Sequence, residues 1–429
     1  MQKTVFKTSR AILTVALILN VSAGMFVSPA VAGELHRGAP EDHGMSGARL
    51  DRLSRVLQAE IEKTQTPGAA LLIMRHGRIV YEDIFGYQDR VAGIKMQHDS
   101  IFRIHSMTKP IVSAAALILL EEGKILLTDP IGRFIPAFAD VQVAVMNAEQ
   151  TEIVSLEKPR RAMTIQDLLR HTSGLTGTTY GKDTVLRQMY RDVWLQGGDL
   201  NNEEYANRIA ELPLNSHPGS QWEYGISTTI LGRVIEVVSG MSLGEFLEDR
   251  IFDPLEMNDS GFSIREDQLD RVAHGYDPDT GGYVNYVPHP GKTPTLENGS
   301  GGLWSTLNDF ARFAQLILND GELDGVRVLG TKTVELMTAN HLGPEIAPGP
   351  LYLPGPGHGF GLGFAVRLTD GISGRLGSKG ELRWGGWAGT QFWIDPVEDL
   401  ICIWMIQDVA NSGRYRWLFK NLVYQAIID

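Results

Sequence analysis

From Ile111 to Leu120 the chain reads IVSAAALILL, a run with no charge and a single hydroxyl. Extended back to Ser106 and forward to Glu122, where Gly123 stops it, the run predicts a helix that is apolar on nearly every side. Such a helix has no face to offer water, so whatever else the chain builds must enclose it. It is shorter than the roughly 20 apolar residues of a membrane span, and no later segment is long and apolar enough to be one.

The flanking segments supply the enclosure. GAALLIMRHGRIVYEDIFGY, Gly68 to Tyr87, places two apolar runs around a polar turn at His76-Gly77 and predicts a β-hairpin. In TIQDLLRHTSGL, Thr164 and Asp167 are spaced as a capping box for a short helix. Helical patterns dominate from about Gly181 to Pro290. Then HGFGLGFAVRL, ELRWGGWAGTQFWID and DLICIWMIQ read as turn-separated strands, and a last helix is predicted over Trp417 to Ile428. Strands at both ends with helices between them predict an α+β protein: one antiparallel sheet assembled from both chain ends, flanked by helices, with an inserted, mostly helical lobe. The α/β lobe covers about 40–125 and 291–429, the helical lobe about 126–290. The Pro/Gly-rich stretch PGPLYLPGPG reads as a surface excursion.

At 429 residues, 43% hydrophobic and 21% charged, the composition is that of an ordinary globular protein. Lys3, Lys7 and Arg10 precede the apolar run AILTVALILNV and then Ala30-Val31-Ala32, the small-residue pattern after which signal peptidases cut. Residues 1–32 are therefore read as a signal peptide, with a periplasmic or secreted chain of residues 33–429. Its three cations lift the formal charge to −12, so the mature chain stands near −15. Nucleic acid and anionic membrane are poor partners for such a chain, and no stable membrane insertion is expected. The single cysteine, Cys402, lies in an apolar run and reads as core. No His, Cys or carboxylate cluster has metal-site spacing, so neither a metal nor a cofactor is expected.

The one cation that opens the buried helix carries the chemistry. Ser106 and Lys109 are three apart, which puts both side chains on one helical face, one turn from each other. Pro110 fits there because a missing N–H goes unnoticed only in the first turn. The helix N-terminus offers free N–H groups to an oxyanion. Burial should lower the Lys109 pKa, so that its neutral amine can take the serine proton.

An S-x-x-K in an exported chain is similar to the serine β-lactamases and penicillin-binding proteins. TIQDLLRHTSGL, WEYGISTTILGRVIE, GGLWSTLNDFARF, HGFGLGF and WGGWAGTQFWIDP resemble the class C branch, in its order, over most of residues 40–429. The resemblance implies a β-lactamase/transpeptidase-like fold with Ser106 as nucleophile and Lys109 and Tyr224 as its general base and acid. It also implies an oxyanion hole from the backbone N–H groups of Ser106 and Trp387, the latter on the strand after Trp-Gly-Gly, with Lys109 polarising the Tyr224 phenol. Two departures bear on substrate. Ile226 stands where the lactamases carry the asparagine of Tyr-x-Asn, and Trp384-Gly385-Gly386 stands for Lys-Thr-Gly. Arg383 cannot replace that lysine, because neighbours on a strand face opposite sides. Tyrosine without asparagine, plus Trp-Gly-Gly, resembles the family VIII carboxylesterases. The implied protein hydrolyses small-molecule, short-chain esters, with weak β-lactam hydrolysis at most, and with Ile226, Trp384, Gly385 and Gly386 in the substrate site. A class C-type β-lactamase or D-alanyl-D-alanine peptidase is the alternative.

Three residues imitate other catalytic centres. Ser242 lies in Gly240-Met241-Ser242-Leu243-Gly244, a match to the α/β-hydrolase nucleophile elbow, but the context predicts a helix ending at Gly240 and a Ser242–Glu245 capping box opening the next. His105, adjacent to Ser106, points off the shared face. His171, in the HTSGL turn, is expected to hold a structural hydrogen bond.

Overall fold

The hairpin expected at His76-Gly77 forms because both turn residues take the left-handed backbone, at φ 51° and 68°, which matches the twist of the strands it joins. In the computed structural model, which describes residues 1–2, 35–177, 181–196, 200–284 and 290–429, the chain divides into two units, Met1–Glu34 and Leu35–Asp429. The signal-peptide reading falls almost wholly outside the described residues. The architecture that follows is that of the second unit.

Helix α1 (Gly47–Thr64) leads into β1 (Gly68–Arg75), β2 (Arg78–Asp89) and β3 (Ile94–Lys95), and α2 (Thr108–Glu121) follows. The helical middle contains α3 (Ser227–Ser239) and ends near α4 (Leu307–Leu318). Strands β4 (His358–Phe360), β5 (Ala365–Arg367), β6 (Leu382–Gly385), β7 (Gln391–Asp395) and β8 (Leu400–Ile406) then complete the sheet, and α5 (Ser412–Tyr424) closes the chain. The sheet order is β4-β5-β6-β7-β8-β1-β2-β3, antiparallel throughout. The two chain ends meet where β1 pairs with β8, Ala69 opposite Ile406 through Arg75 opposite Leu400.

Alternation along β1 and β8 explains why both strands read as continuous apolar runs. Leu72, Ile403 and Met405 pack toward α2 and α4, whereas Leu71, Ile73, Cys402 and Trp404 pack toward α1 and α5. On that second face α1 buries Leu50, Leu53, Leu57 and Ile61 at helical spacing. Helix α2 is enclosed as its sequence requires, with Thr108 to Leu119 all buried. It packs on α3, so the core continues from the sheet into the helical middle. Among the described residues, no helix is long and apolar enough to cross a membrane.

Three boundaries differ from expectation. The run HGFGLGFAVRL is two strands, because the chain turns at Gly361 to Phe364 where it lies against Pro110 and Ser113 of α2. Helix α5 starts five residues earlier than predicted and ends at Tyr424. Asp408 holds Asn411 at its start, and beyond it Ile428 donates to Gly44 and leaves the helix for that pairing. The Pro/Gly-rich stretch is more than a surface excursion: Ala347–Pro348 pairs with Gln221–Trp222, and Pro354 accepts a bond from Arg383.

Ser242 is where the capping reading put it. Gly240 ends α3 at φ 76°, and the Ser242 hydroxyl accepts from the Glu245 N–H as the cap of Leu243–Leu247. No strand precedes it. Ser242→Ala should lower stability by about 1 kcal/mol, the usual worth of such a cap, and leave the chemistry expected at Ser106 intact. Loss of activity at unchanged stability would overturn that placement.

Candidate active site

Ser106 lies in a 3-10 turn, His105–Met107, that runs directly into α2. The short strand Phe102–Arg103 enters the turn pinned to Trp304–Ser305. Ile104 donates its N–H to Leu303 and accepts at its carbonyl from Thr390 Oγ1. These bonds hold His105 at φ 46°, a left-handed conformation costing about 1–2 kcal/mol, which turns the chain sharply enough to present Ser106. A Cβ at Gly386 would lie 2.5 Å from the Ile104 carbonyl oxygen and 2.1 Å from Thr390 Oγ1, so only glycine lets the segment after β6 lie against the Ser106 turn.

Around the serine, Tyr224 donates its hydroxyl to Ser106 Oγ at 2.7 Å and Lys109 Nζ donates to the same oxygen at 3.2 Å. Lys109 also donates to the Ser300 carbonyl at 2.7 Å and stands 4.5 Å from the Tyr224 ring centre. Sequence reasoning missed Ser300, a backbone acceptor without a residue-type signal. Its own Oγ accepts from the Thr229 N–H on α3, and its N–H donates to Asn298 Oδ1. Burial lowers the Lys109 pKa to about 7. Burial also pushes the Tyr224 phenol up to about 12, against the opposing effects of its bond to Ser106 and the Arg416 charge. The expectation that Lys109 polarises Tyr224 downward is thus corrected, since desolvation outweighs the charges around the phenol.

Tyr224 is held within an aromatic cluster, stacked on Trp222 and tilted against Trp384 and His171. The preceding residue, Glu223, forms a buried ion pair with Arg187 and donates its N–H to the His171 carbonyl. That bond is made by the His171 backbone. The ring packs among Trp222, Tyr224 and Phe360 with Nδ1 unpartnered, so the hydrogen bond expected of this side chain is replaced by aromatic packing. His105 is half-buried and kept neutral, its pKa lowered to about 3 by desolvation and by the charges of Arg103 and Lys109, with its ring edge-on to Trp387.

A cavity of about 360 Å³ opens at Ser106 and Tyr224 and is lined by Trp384, Gly385, Gly386 and Trp387 among others. Two expectations change. Trp387 is not on a strand: β6 ends at Gly385, and Trp387 lies in the turn that returns to β7. Ile226 does not line this cavity. It directly precedes α3 and is buried in the hydrophobic cluster that also holds Tyr224 and Trp384. Leu353, Trp393, Arg416, Trp417 and Lys420 also line it, and sequence reasoning named none of them for the site, because the loop and α5 reach it only through the fold. Among the described residues, no group of His, Cys, Asp and Glu side chains is placed to hold a metal ion.

A serine bonded to a buried lysine and a tyrosine, where an antiparallel sheet meets a helical lobe, is the arrangement of a serine hydrolase on a β-lactamase/transpeptidase-like fold. The chain belongs to the Beta-lactamase family, whose model matches residues 53–425. It is 29% identical over 384 residues to Esterase EstB of Burkholderia gladioli, covering 84% of this chain and 91% of that one. It is 30% identical over 385 residues to the lovastatin esterase of Penicillium rubens, covering 83% and 92%. Among solved structures, EstCE1, a hydrolase with promiscuous acyltransferase activity, superposes with a TM-score of 0.74 at 24% identity, covering 88% of this chain and 98% of that one. With esterases among its relatives, the chain is a serine hydrolase.

The lowered Lys109 pKa has a consequence for stability. An unfolded lysine titrates near 10.4, so between about pH 7 and 10 the unfolded chain holds a proton that the folded chain has released, and stability rises with pH across that window. In denaturant melts the wild type should gain on Lys109→Met by ~3–5 kcal/mol from pH 6.5 to 10. A constant difference would show that Lys109 titrates normally.

Proposed function

We propose that this protein is an exported carboxylesterase of the family VIII type, which hydrolyses small, short-chain acyl esters through a covalent acyl-Ser106. The observation that carries the reading is the pair of hydrogen bonds converging on Ser106 Oγ from Lys109 and Tyr224. Lys109, with its pKa near 7, has a substantial neutral fraction at physiological pH and takes the Oγ proton as the oxygen attacks the ester carbonyl. The carbonyl π electrons move to oxygen, where the backbone N–H groups of Ser106 and Trp387 receive the negative charge. As the intermediate collapses, the ester C–O bond breaks. The Tyr224 phenol, protonated because its pKa is near 12, gives the alkoxide its proton and is replenished from Lys109. Water then attacks the acyl-serine by the reverse proton route and releases the acid. Trp384, in place of a lysine, presents an indole rather than a cation to the reacting ester, which favours esters over β-lactams. The leader read over residues 1–32 would place the enzyme in the periplasm or medium, with the exported chain starting near Gly33 by intact mass. A full-length mass would overturn the export reading.

Ser106→Ala and Lys109→Ala should each lower kcat on p-nitrophenyl butyrate by ~10³ or more. The double variant should be no worse than either single one, because the residues act as a unit. Fluorophosphonate labelling should disappear in Ser106→Ala, and additive losses would refute the shared mechanism. Since only the neutral amine accepts a proton, kcat/KM should rise with pH through about 7 and level off above it. A profile still climbing at pH 10 would rule out a desolvated Lys109.

A further inference from the structure

Lys109 makes a shorter hydrogen bond to a carbonyl than to the serine it serves: 2.7 Å to Ser300, against 3.2 Å to Ser106 Oγ. That carbonyl belongs to a loop, Glu297–Gly302, laid between α3 and the Ser106 turn. On one side a Cβ at Gly299 would lie 2.6 Å from the Thr228 carbonyl oxygen of α3, and on the other a Cβ at Gly301 would lie 3.4 Å from the His105 carbonyl carbon. The loop is tied at both ends. The Glu297 carboxylate accepts from the Gly244 N–H and its carbonyl from Asn202 Nδ2, while Gly301 and Gly302 donate their N–H groups to the Asn298 carbonyl.

Within the loop one side chain directs the Ser300 carbonyl. Asn298 Oδ1 accepts the Ser300 N–H at 2.9 Å and the Thr229 hydroxyl at 2.8 Å, while the Thr229 N–H holds Ser300 Oγ from α3. With its N–H and its hydroxyl both held, Ser300 presents its carbonyl to Lys109. A carboxylate would accept the same two donors more strongly, because a charged acceptor makes such bonds roughly twice as strong, and aspartate is the same size as asparagine. The chain carries the amide and forgoes that strength. The surroundings of Lys109 supply the reason. Facing the amine are His105 from the Ser106 turn, Tyr224 from the helical segment and His171 beside Tyr224, and burial keeps both imidazoles neutral and the phenol protonated. Glu297, the loop's own carboxylate, is engaged by Gly244. Among the described residues no carboxylate opposes the burial that lowers the Lys109 pKa.

We infer that Asn298 is the positioning residue of the proton acceptor: its side-chain oxygen aims the Ser300 carbonyl at Lys109, and its lack of charge leaves the amine able to take the Ser106 proton. The inference rests on the reading of Lys109 as the base in the proposed mechanism. Fluorophosphonate labelling of Ser106, followed as a rate against pH, tests it without any ester. In the wild type the rate should rise through about pH 7 and level off. Asn298→Asp keeps both accepted bonds and adds a negative charge, which favours the ammonium. Asn298 is half-buried, so water screens part of that charge, and the limb should move up by about one pH unit. At pH 7 about one amine in eleven would then be neutral instead of about one in two, a loss of about fivefold that disappears above about pH 9. Asn298→Ala removes the acceptor without adding charge and should lower the rate about tenfold or more at every pH, with no recovery in alkali. A limb unmoved in Asn298→Asp, or a wild-type rate in Asn298→Ala, overturns the inference. The alanine variant decides alone if the aspartate variant does not fold. Hydrolysis of p-nitrophenyl butyrate separates the two readings. If the labelling limb moves in Asn298→Asp but the wild type hydrolyses no ester, the esterase reading fails and the positioning role stands. If the ester is hydrolysed and the limb stays near pH 7 in Asn298→Asp, the positioning role fails and the esterase reading stands.

Discussion

The site depends on a lysine amine buried in the first turn of an apolar helix. Removing an ammonium from water is costly, and among the described residues Lys109 is offered the Ser106 hydroxyl, the Ser300 carbonyl and the face of the Tyr224 ring in return. None of these is a full negative charge. The amine is consequently held near neutrality, the state in which it can remove a proton, and the same enclosure raises the tyrosine and keeps its proton on. A carboxylate beside Lys109 would stabilise the ammonium and remove the neutral amine that the proposed proton transfer needs.

Building the enclosure takes both ends of the chain and its middle. Helix α2 and the turn before it carry Lys109 and Ser106, while the helical segment supplies Tyr224 and Thr229, which with Asn298 positions the carbonyl of Ser300. Tyr224 is held by its bond to Ser106, by the Arg187–Glu223 ion pair beside it and by the rings of Trp222, His171 and Trp384. The turn at Gly386 closes the arrangement, lying so near the Ile104 carbonyl that no side chain fits between them.

In the lactamase pattern a cation stands on the reacting side of the strand that borders the serine, and here that position is Trp384. Positive charge is instead gathered beyond Gly385, where Arg383, Arg416 and Lys420 line the cavity. The same sheet thus presents an aromatic, uncharged surface near Ser106 and a cationic one deeper in. The two surfaces are separated by a glycine rather than by distance along the chain.

Much of this was legible in the residues alone. The uncharged run of α2 demanded burial, the hairpin turn and capping boxes follow local rules, and the three-residue spacing of Ser106 and Lys109 requires one shared helical face. The same local logic made Ser242 a cap instead of a nucleophile. What depended on chain segments far apart was not legible. Ile226 is buried in the core just before α3, Trp387 left its strand because β6 stops at Gly385, and α5 ended at Tyr424, short of the residues that pair Ile428 with Gly44. Ser300 and Arg416 joined the site from loops and helices whose sequence carries no sign of it. Periodicity and capping act over one or two turns and so are written in the sequence. The identity of a carbonyl beside Lys109, or of the cations behind Gly385, is decided by long-range packing, which only the folded chain specifies.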